Sequence, residues 1–301
     1  MGQIVTPARF LHPSGPGTAT TEEQETENRE EIREVGRAQA ALWARLRADA
    51  EAAADGDPLL RSFVHIAVLS HEGFASALGG HLARKLGDWY IPAERLADLA
   101  EQAYERDPGI VAAAVADLSA IVARDPAADS VLTPFLYFKG FHALQWHRVA
   151  HWLWDQDRHD LAHFLQSRVS EVFAVDIHPA VSFGRGVLID HGTGVVIGET
   201  ASVGNDVSIL QGVTLGGTGK DHGDRHPKVR DGVLLAAGAK VLGNIEVGRH
   251  AKVGAGSVVL KPVPPGATVA GVPARIVGWA TSAQAPAVEM DMSLPEPEYT
   301  I

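Results

Sequence analysis

Up to about Ala174 the chain mixes charged and apolar residues in long runs; beyond residue 176 it changes abruptly to a sixfold pattern rich in Val, Ile and Gly. Glu22 to Asp55 is charged, Ala-rich and free of Pro and of Gly except Gly36, which predicts a helix. Further helical segments follow. Asp57-Pro58, Ile91-Pro92 and Asp107-Pro108 each place a proline where a first helical turn tolerates one, so each marks a helix start. Five of the six Trp precede residue 155, with most of the Phe and Tyr. The N-terminal half is therefore expected to be an all-helical domain with its own core.

The sixfold segment carries two apolar columns. One runs through Val195, Ala201, Val207 and Val213 and resumes at Val233, Ala239, Ile245, Ala251, Ser257, Val263 and Val269. The second lies two residues further on in each unit, at Ile197, Val203, Ile209 and Leu215, then Leu235, Val241, Val247, Val253 and Val259. A helix would smear this pattern around its circumference, and so many Gly and Val would weaken it. A strand period of two puts both columns on one face, and six residues make one short strand plus one turn. This is the hexapeptide repeat of a parallel β-helix, whose stacked units bury a continuous core.

The fold class expected is α+β multidomain: an all-α N-terminal domain followed by a C-terminal left-handed parallel β-helix. Residues 1–20, rich in Pro, Gly and Thr, read as a disordered lead; 21–174 as the helical domain; 175–278 as the β-helix; 279–301, polar, acidic and Pro-containing, as a flexible tail.

The repeat is interrupted twice. Units begin at Val181 and Val187, but the next start is Val195, eight residues on, with the extra residues around Asp190-His191-Gly192-Thr193-Gly194. The second interruption, Gly217 to Arg230, reads GTGKDHGDRHPKVR. Packing gives a repeat no reason to interrupt itself, and extruded loops on a regular scaffold are where chemistry sits.

Composition narrows the classes. The formal net charge of −11 over 301 residues disfavours nucleic acid and anionic membrane as partners. No apolar run approaches the roughly 18–20 residues that span a bilayer, and the N-terminus lacks a secretory apolar core, so the cytoplasm is the expected location. The chain has no Cys, which removes disulfides, thiolate metal sites and a cysteine nucleophile.

Four short elements carry candidate chemistry: Asp176-Ile177-His178-Pro179 at the domain junction, Asp190-His191, Gly223-Asp224-Arg225-His226-Pro227, and Arg124-Asp125-Pro126. The last three together suit a free amino acid, which needs a carboxylate for its ammonium, a cation for its carboxylate and a base for its hydroxyl. With DIHP, DHGTGVVIGET, LGGTGK, GDRHPKVRDG and AGVPARIVG in order, and RDPAAD and TPFLYFKGFHALQWHRVAHWLW before them, the chain resembles the bacterial serine acetyltransferases over roughly residues 55–280.

The resemblance implies acetyl transfer from the co-substrate acetyl-CoA to the hydroxyl of L-serine, the first step from serine to cysteine, with feedback inhibition by L-cysteine. It makes His191 the general base, because a serine hydroxyl is too weak an acid to attack a thioester unaided. Asp176 would orient the imidazole and stabilise its cation. Arg225 would hold the serine carboxylate with His226 beside it, and Asp125 and Asp190 would face the ammonium. Backbone amides near Gly217, Thr218 and Ala237 would approach acetyl-CoA, with Lys252 and Arg275 (and Lys240 and Lys261) as phosphate partners and no metal. Glu199 is a further candidate for supporting the pocket. The β-helix would form a homotrimer, or a dimer of trimers, with acetyl-CoA between neighbours. The terminal Ile301 would enter the active site of O-acetylserine sulfhydrylase. Rival readings are a zinc lyase using His191, His222 and His226, acetylation of a sugar or antibiotic hydroxyl, and a non-catalytic scaffold.

Overall fold

The computed structural model describes residues 21–219, 222–280, 282 and 284–294; the lead of residues 1–20 and the end of the tail, Ile301 included, lie outside the described residues. The helical half contains α1 (Thr21–Gly56), α2 (Arg61–Val64), a π-helical turn (His65–Leu69), α3 (Phe74–Leu86), α4 (Ala93–Arg106), α5 (Pro108–Arg124), α6 (Leu132–Tyr137), α7 (Lys139–Asp155) and α8 (His159–Phe173). At the start of α5 Pro108 stands in the first turn and the Asp107 side chain accepts from Gly109 N at 2.9 Å, which satisfies one orphan amide. Pro92 stands one place earlier relative to its helix, at the N-cap of α4, and no side chain caps that end. Asp57-Pro58 behaves differently from expectation: Asp57 accepts from Leu59 N to make a turn, and α2 begins only at Arg61. The core of this half centres on the fully buried Trp146 of α7, whose indole N–H donates to Leu82 O of α3 at 3.2 Å.

From Val175 the chain winds into a parallel β-helix with three faces. The first face stacks Val175–Ile177, Val195–Ile197, Thr214–Gly216, Lys240–Leu242 and Val258–Val259. The second stacks Ser182–Phe183, Ser202–Val203, Lys228–Val229 and Glu246–Val247. The third stacks Leu188–Ile189, Ser208–Ile209, Leu234–Leu235, Lys252–Val253 and Ala267–Gly271, against which the last strand, Ala274–Trp279, runs antiparallel. Both apolar columns point inward: Val195, Val207, Val213, Val233 and Ala239 of the first, and Ile209, Leu215, Leu235, Val241 and Val253 of the second, are wholly buried. Each such Val or Leu contributes roughly 1.5–3 kcal/mol relative to an exposed one. Pairing in register aligns an outward row on the first face: Asp176, Val196, Thr214, Lys240 and Val258.

The helices are bolted to the top of this prism. Asp117 of α5, with 0% of its side chain exposed, accepts from Arg148 at 2.7 Å and Gln145 at 3.0 Å, and from the backbone N–H of Val187 at 2.8 Å. Arg148 also donates to Gly184 O at 2.8 Å. One satisfied buried ion pair thus fixes α5, α7 and the first coil together; loss of either partner leaves a buried charge unpaired, at a cost of about 3–5 kcal/mol. At Gly140 the backbone approach is closest, because a Cβ there would fall 2.0 Å from Ile189 O. Gly140→Ala is therefore expected to lower stability by roughly 1–3 kcal/mol, read as a fall in Tm; an unchanged Tm would show that α7 shifts freely on the β-helix.

The tail departs from the flexible segment expected from its composition. It turns back along the third face as α9 (Pro286–Glu289), where Ser208 Oγ donates to Ala287 O at 2.7 Å and Lys252 Nζ to Asp291 O at 2.9 Å. Ala287 is wholly buried and Leu294 reaches Gly254. No helix among the described residues is long and apolar enough to cross a membrane.

Candidate active site

The two interruptions of the repeat occupy different corners of the prism. Asp190 to Gly194 turns the corner from the third face to the first; Gly217 to Pro227 turns the corner from the first face to the second.

At the first of these corners His191 adopts the left-handed region (φ 54°), flanked by Gly192 (φ 71°) and Gly194 (φ 76°). A Cβ on Gly192 would press on Val175 at 3.0 Å and stand 3.4 Å from Gly140, so the bulge is wedged between the first strand and the start of α7. Lys139 of α7 bonds the Thr193 hydroxyl, tying the same loop from outside. The resulting turn projects the His191 ring into solvent, its side chain 74% exposed, with Nε2 3.9 Å from Asp190 Oδ1. Burial pushes the Asp190 carboxyl above the usual aspartate range; His191 opposes the shift and nearby Asp125 adds to it. Asp125, at the end of α5, spends one oxygen on Ala127 N at 2.8 Å. Asp125, Asp190 and His191 thus form one acidic, basic-tipped cluster.

At the other corner the GDRHP segment folds onto Thr200. The Thr200 hydroxyl accepts from the backbone N–H of Arg225 at 2.9 Å and of His226 at 3.1 Å. His226 Nδ1 accepts from Thr200 N at 3.1 Å, so the neutral ring carries its proton on Nε2. Burial lowers the His226 pKa and Arg225 adds to the effect, which favours that neutral form. The ring lies over Gly198, where a Cβ would fall 2.1 Å from Nε2; this position admits only glycine. Arg225 donates to Glu199 at 2.7 Å and to Gly223 O at 3.1 Å, and the hydrogen bond from Arg225 holds the Glu199 carboxyl below its usual range. Gly217 lies 3.6 Å from both Arg225 and His226, measured to a Cβ built on it, with Thr218 next in the chain. Thr200 has no mark in the sequence beyond its place in a repeat turn, and its role as the anchor of GDRHP emerges only from the fold.

The remaining candidates are dispersed. Asp176, on the outer row of the first face, accepts from Gln166 Nε2 at 2.7 Å and makes no hydrogen bond to His191. His178 caps the turn after that strand by accepting from Ala180 N at 3.1 Å, its ring edge-on to Trp154. Ala237 turns the same corner as His191 further down the prism, where Gly256 N donates to its carbonyl. Lys252 lies on the third face under the tail, and Lys240 is tied to Gly212 O and to Thr214 on the first face. Arg275 sits on the terminal antiparallel strand, donating to Ala274 O. Lys252 and Arg275 therefore join neither cluster within this chain.

Comparison with known proteins agrees with both halves of the architecture. A family model described as serine acetyltransferase, N-terminal, matches residues 42–146, and one for the bacterial transferase hexapeptide matches residues 226–261. Serine acetyltransferase of Escherichia coli K12 is 57% identical over 250 residues, covering 83% of this chain and 91% of that one. A serine acetyltransferase solved in complex with cysteine superposes with a TM-score of 0.83 at 52% identity, over 85% of this chain and 99% of that one. The Brucella abortus serine acetyltransferase solved with coenzyme A gives 0.78 at 50% identity, over 80% and 96%. With a helical domain, an interrupted hexapeptide β-helix and more than half of its residues shared over most of its length, this chain belongs to the serine acetyltransferase family.

Proposed function

We propose that this chain transfers acetyl from acetyl-CoA to the hydroxyl of L-serine, giving O-acetyl-L-serine and CoA, at sites shared between neighbouring copies of a homotrimer. The observation that carries this reading is the separation of two complementary clusters. Asp125, Asp190 and His191 supply anionic partners for an ammonium and a base for a hydroxyl; Arg225 and His226 supply donors for a carboxylate. They occupy different corners of one prism, so a molecule as small as serine meets both only where the corner of one copy faces the other corner of the next.

In such a site His191 takes the serine hydroxyl proton as the oxygen attacks the thioester carbon. The tetrahedral oxyanion is met by a backbone N–H near Gly217 or Ala237. The C–S bond then breaks, and the imidazolium returns its proton to the departing CoA thiolate. Asp176, with one oxygen held by Gln166, keeps the other for the imidazole once the His191 ring turns inward. Arg225 exchanges part of its hold on Glu199 for the substrate carboxylate.

Release of CoA, followed with acetyl-CoA and a panel of L-serine, homoserine, threonine and simple sugars, tests this directly. Turnover is expected with serine, and L-cysteine, differing by one atom, is expected to inhibit competitively with it. Turnover confined to a sugar would overturn the reading.

Ile301 is the proposed contact with O-acetylserine sulfhydrylase, its apolar side chain anchoring the tail in that enzyme's substrate cleft. Deleting Ile301 is expected to abolish that complex and to leave acetyl transfer unchanged; equal binding by the truncated chain would refute the docking.

A further inference from the structure

We infer that Gln166, on α8, is a positioning residue for the Asp176 carboxylate, and that through it the helical domain sets the catalytic geometry of the β-helix. The inference rests on the proposed pairing of Asp176 with His191. Its basis is a short relay from helix to strand: His163 Nδ1 lies 3.1 Å from Gln166 Oε1, and Gln166 Nε2 lies 2.7 Å from Asp176 Oδ1. The two neighbours agree on how the amide is turned. An ionised carboxylate only accepts, so the NH₂ must face Asp176; the carbonyl then faces His163, whose Nδ1–H donates to it. Behind the relay, Ala162, Leu165 and Val169 bury the inner side of α8 in the core, so the helix that carries Gln166 is fixed by packing and not by the strand it serves.

A neutral donor suits this task better than a cation. A lysine or arginine at this position would hold Asp176 more tightly, but would cancel the charge that an imidazolium at His191 needs opposite it. An amide fixes one oxygen and leaves the full negative charge, and among the described residues no hydrogen bond reaches the second oxygen. Among the described residues the ionisable groups around Asp176 are His163 and Glu171 of α8, which line the same cleft, and His178 in the turn after its strand, with Glu199 and His226 acting on His178 in turn. None of them bonds the Asp176 carboxylate.

The test uses the full chain carrying Gln166→Met, close in shape but unable to donate, and Gln166→Glu. Gln166→Met is expected to lower kcat by roughly 10- to 100-fold through misplacement of the carboxylate, with KM for serine and for acetyl-CoA within about twofold and with Tm and oligomeric state preserved. In an Asp176→Asn background the same change is expected to cost less than about twofold, because its route of action is already gone. Gln166→Glu has a signature that a structural role would not give. The introduced carboxyl donates as the amide does while it is protonated and repels Asp176 once it ionises, so activity relative to the parent is highest in acid and falls as pH rises. Parental kcat in Gln166→Met, an equal loss in the Asp176→Asn background, or a flat relative profile for Gln166→Glu would each overturn the inference. If Gln166→Met does not fold, the Gln166→Glu profile decides alone. Parental turnover by Asp176→Asn itself would remove the underlying Asp176–His191 reading, whereas a defective Asp176→Asn beside a normal Gln166→Met would remove only the role of Gln166.

Discussion

His191→Ala is expected to lower kcat by roughly 10²–10⁴-fold, the usual contribution of a positioned general base, while Tm stays near that of the parent. The two halves of this expectation have separate causes. A serine hydroxyl must lose its proton as it attacks, and among the described residues His191 is the exposed imidazole set beside Asp190 and Asp125. Its ring packs on little: the side chain is 74% exposed, and the bulge is held by Gly192 against Val175 and by Lys139 on Thr193. Removing the ring therefore opens no cavity. Thiol release under saturating serine and acetyl-CoA, with a melting curve on the same sample, reads both. Near-normal turnover would exclude His191 as the base.

Arg225→Ala is expected mainly to raise the KM for serine, because a carboxylate partner serves ground and transition states alike. Mixing that variant with His191→Ala gives the larger test. Each alone is impaired, the first at subsaturating serine and the second at any concentration. If His191 of one copy works with Arg225 of the next, every mixed trimer contains one interface where both residues are intact. Random assembly of equal amounts makes about three-quarters of trimers mixed, each with one good site in three, and so restores about a quarter of parental activity at low serine. A site completed within one chain gives no restoration. Co-expression with two different tags, followed by assay of the doubly tagged fraction, in which every trimer is mixed and about a third of parental activity is expected, separates the outcomes.

How much of this was legible in sequence depends on the range of the interaction. The β-helix was legible because its rule is local and repeated: an apolar residue every six positions, another two later, and Gly at the turns. Asp107-Pro108 likewise marked the start of α5 through a cap and a ring that act within one turn. The tail was not legible in this way. Its composition is that of a soluble linker, yet it lies on the third face, where Ser208 bonds Ala287 O, Ala287 is buried and Leu294 meets Gly254. Among candidate site residues, those in the two interruptions announced themselves by breaking the repeat. Thr200 and Gln166 broke nothing, and their partners are 25 and 10 residues away. Nor does a motif state its corner: assigning His191 and Arg225 to different edges of the prism requires counting which face each interruption follows.

The antiparallel strand Ala274–Trp279 has a bearing on polymerisation. A stack of parallel coils ends in strands whose outer hydrogen-bonding groups are free, an invitation to add the next coil from another molecule and grow a fibre. Here the upper end lies beneath α8 and α7, with Phe173 buried against the first coil. At the lower end the chain reverses and pairs its own last rung from Ala267–Trp279 to Gly271–Ala274. A second parallel coil placed there meets a strand of the wrong polarity. On the third face strand addition is thereby closed at the lower end, which turns copies of this molecule toward meeting along their flanks, where the two corners stand.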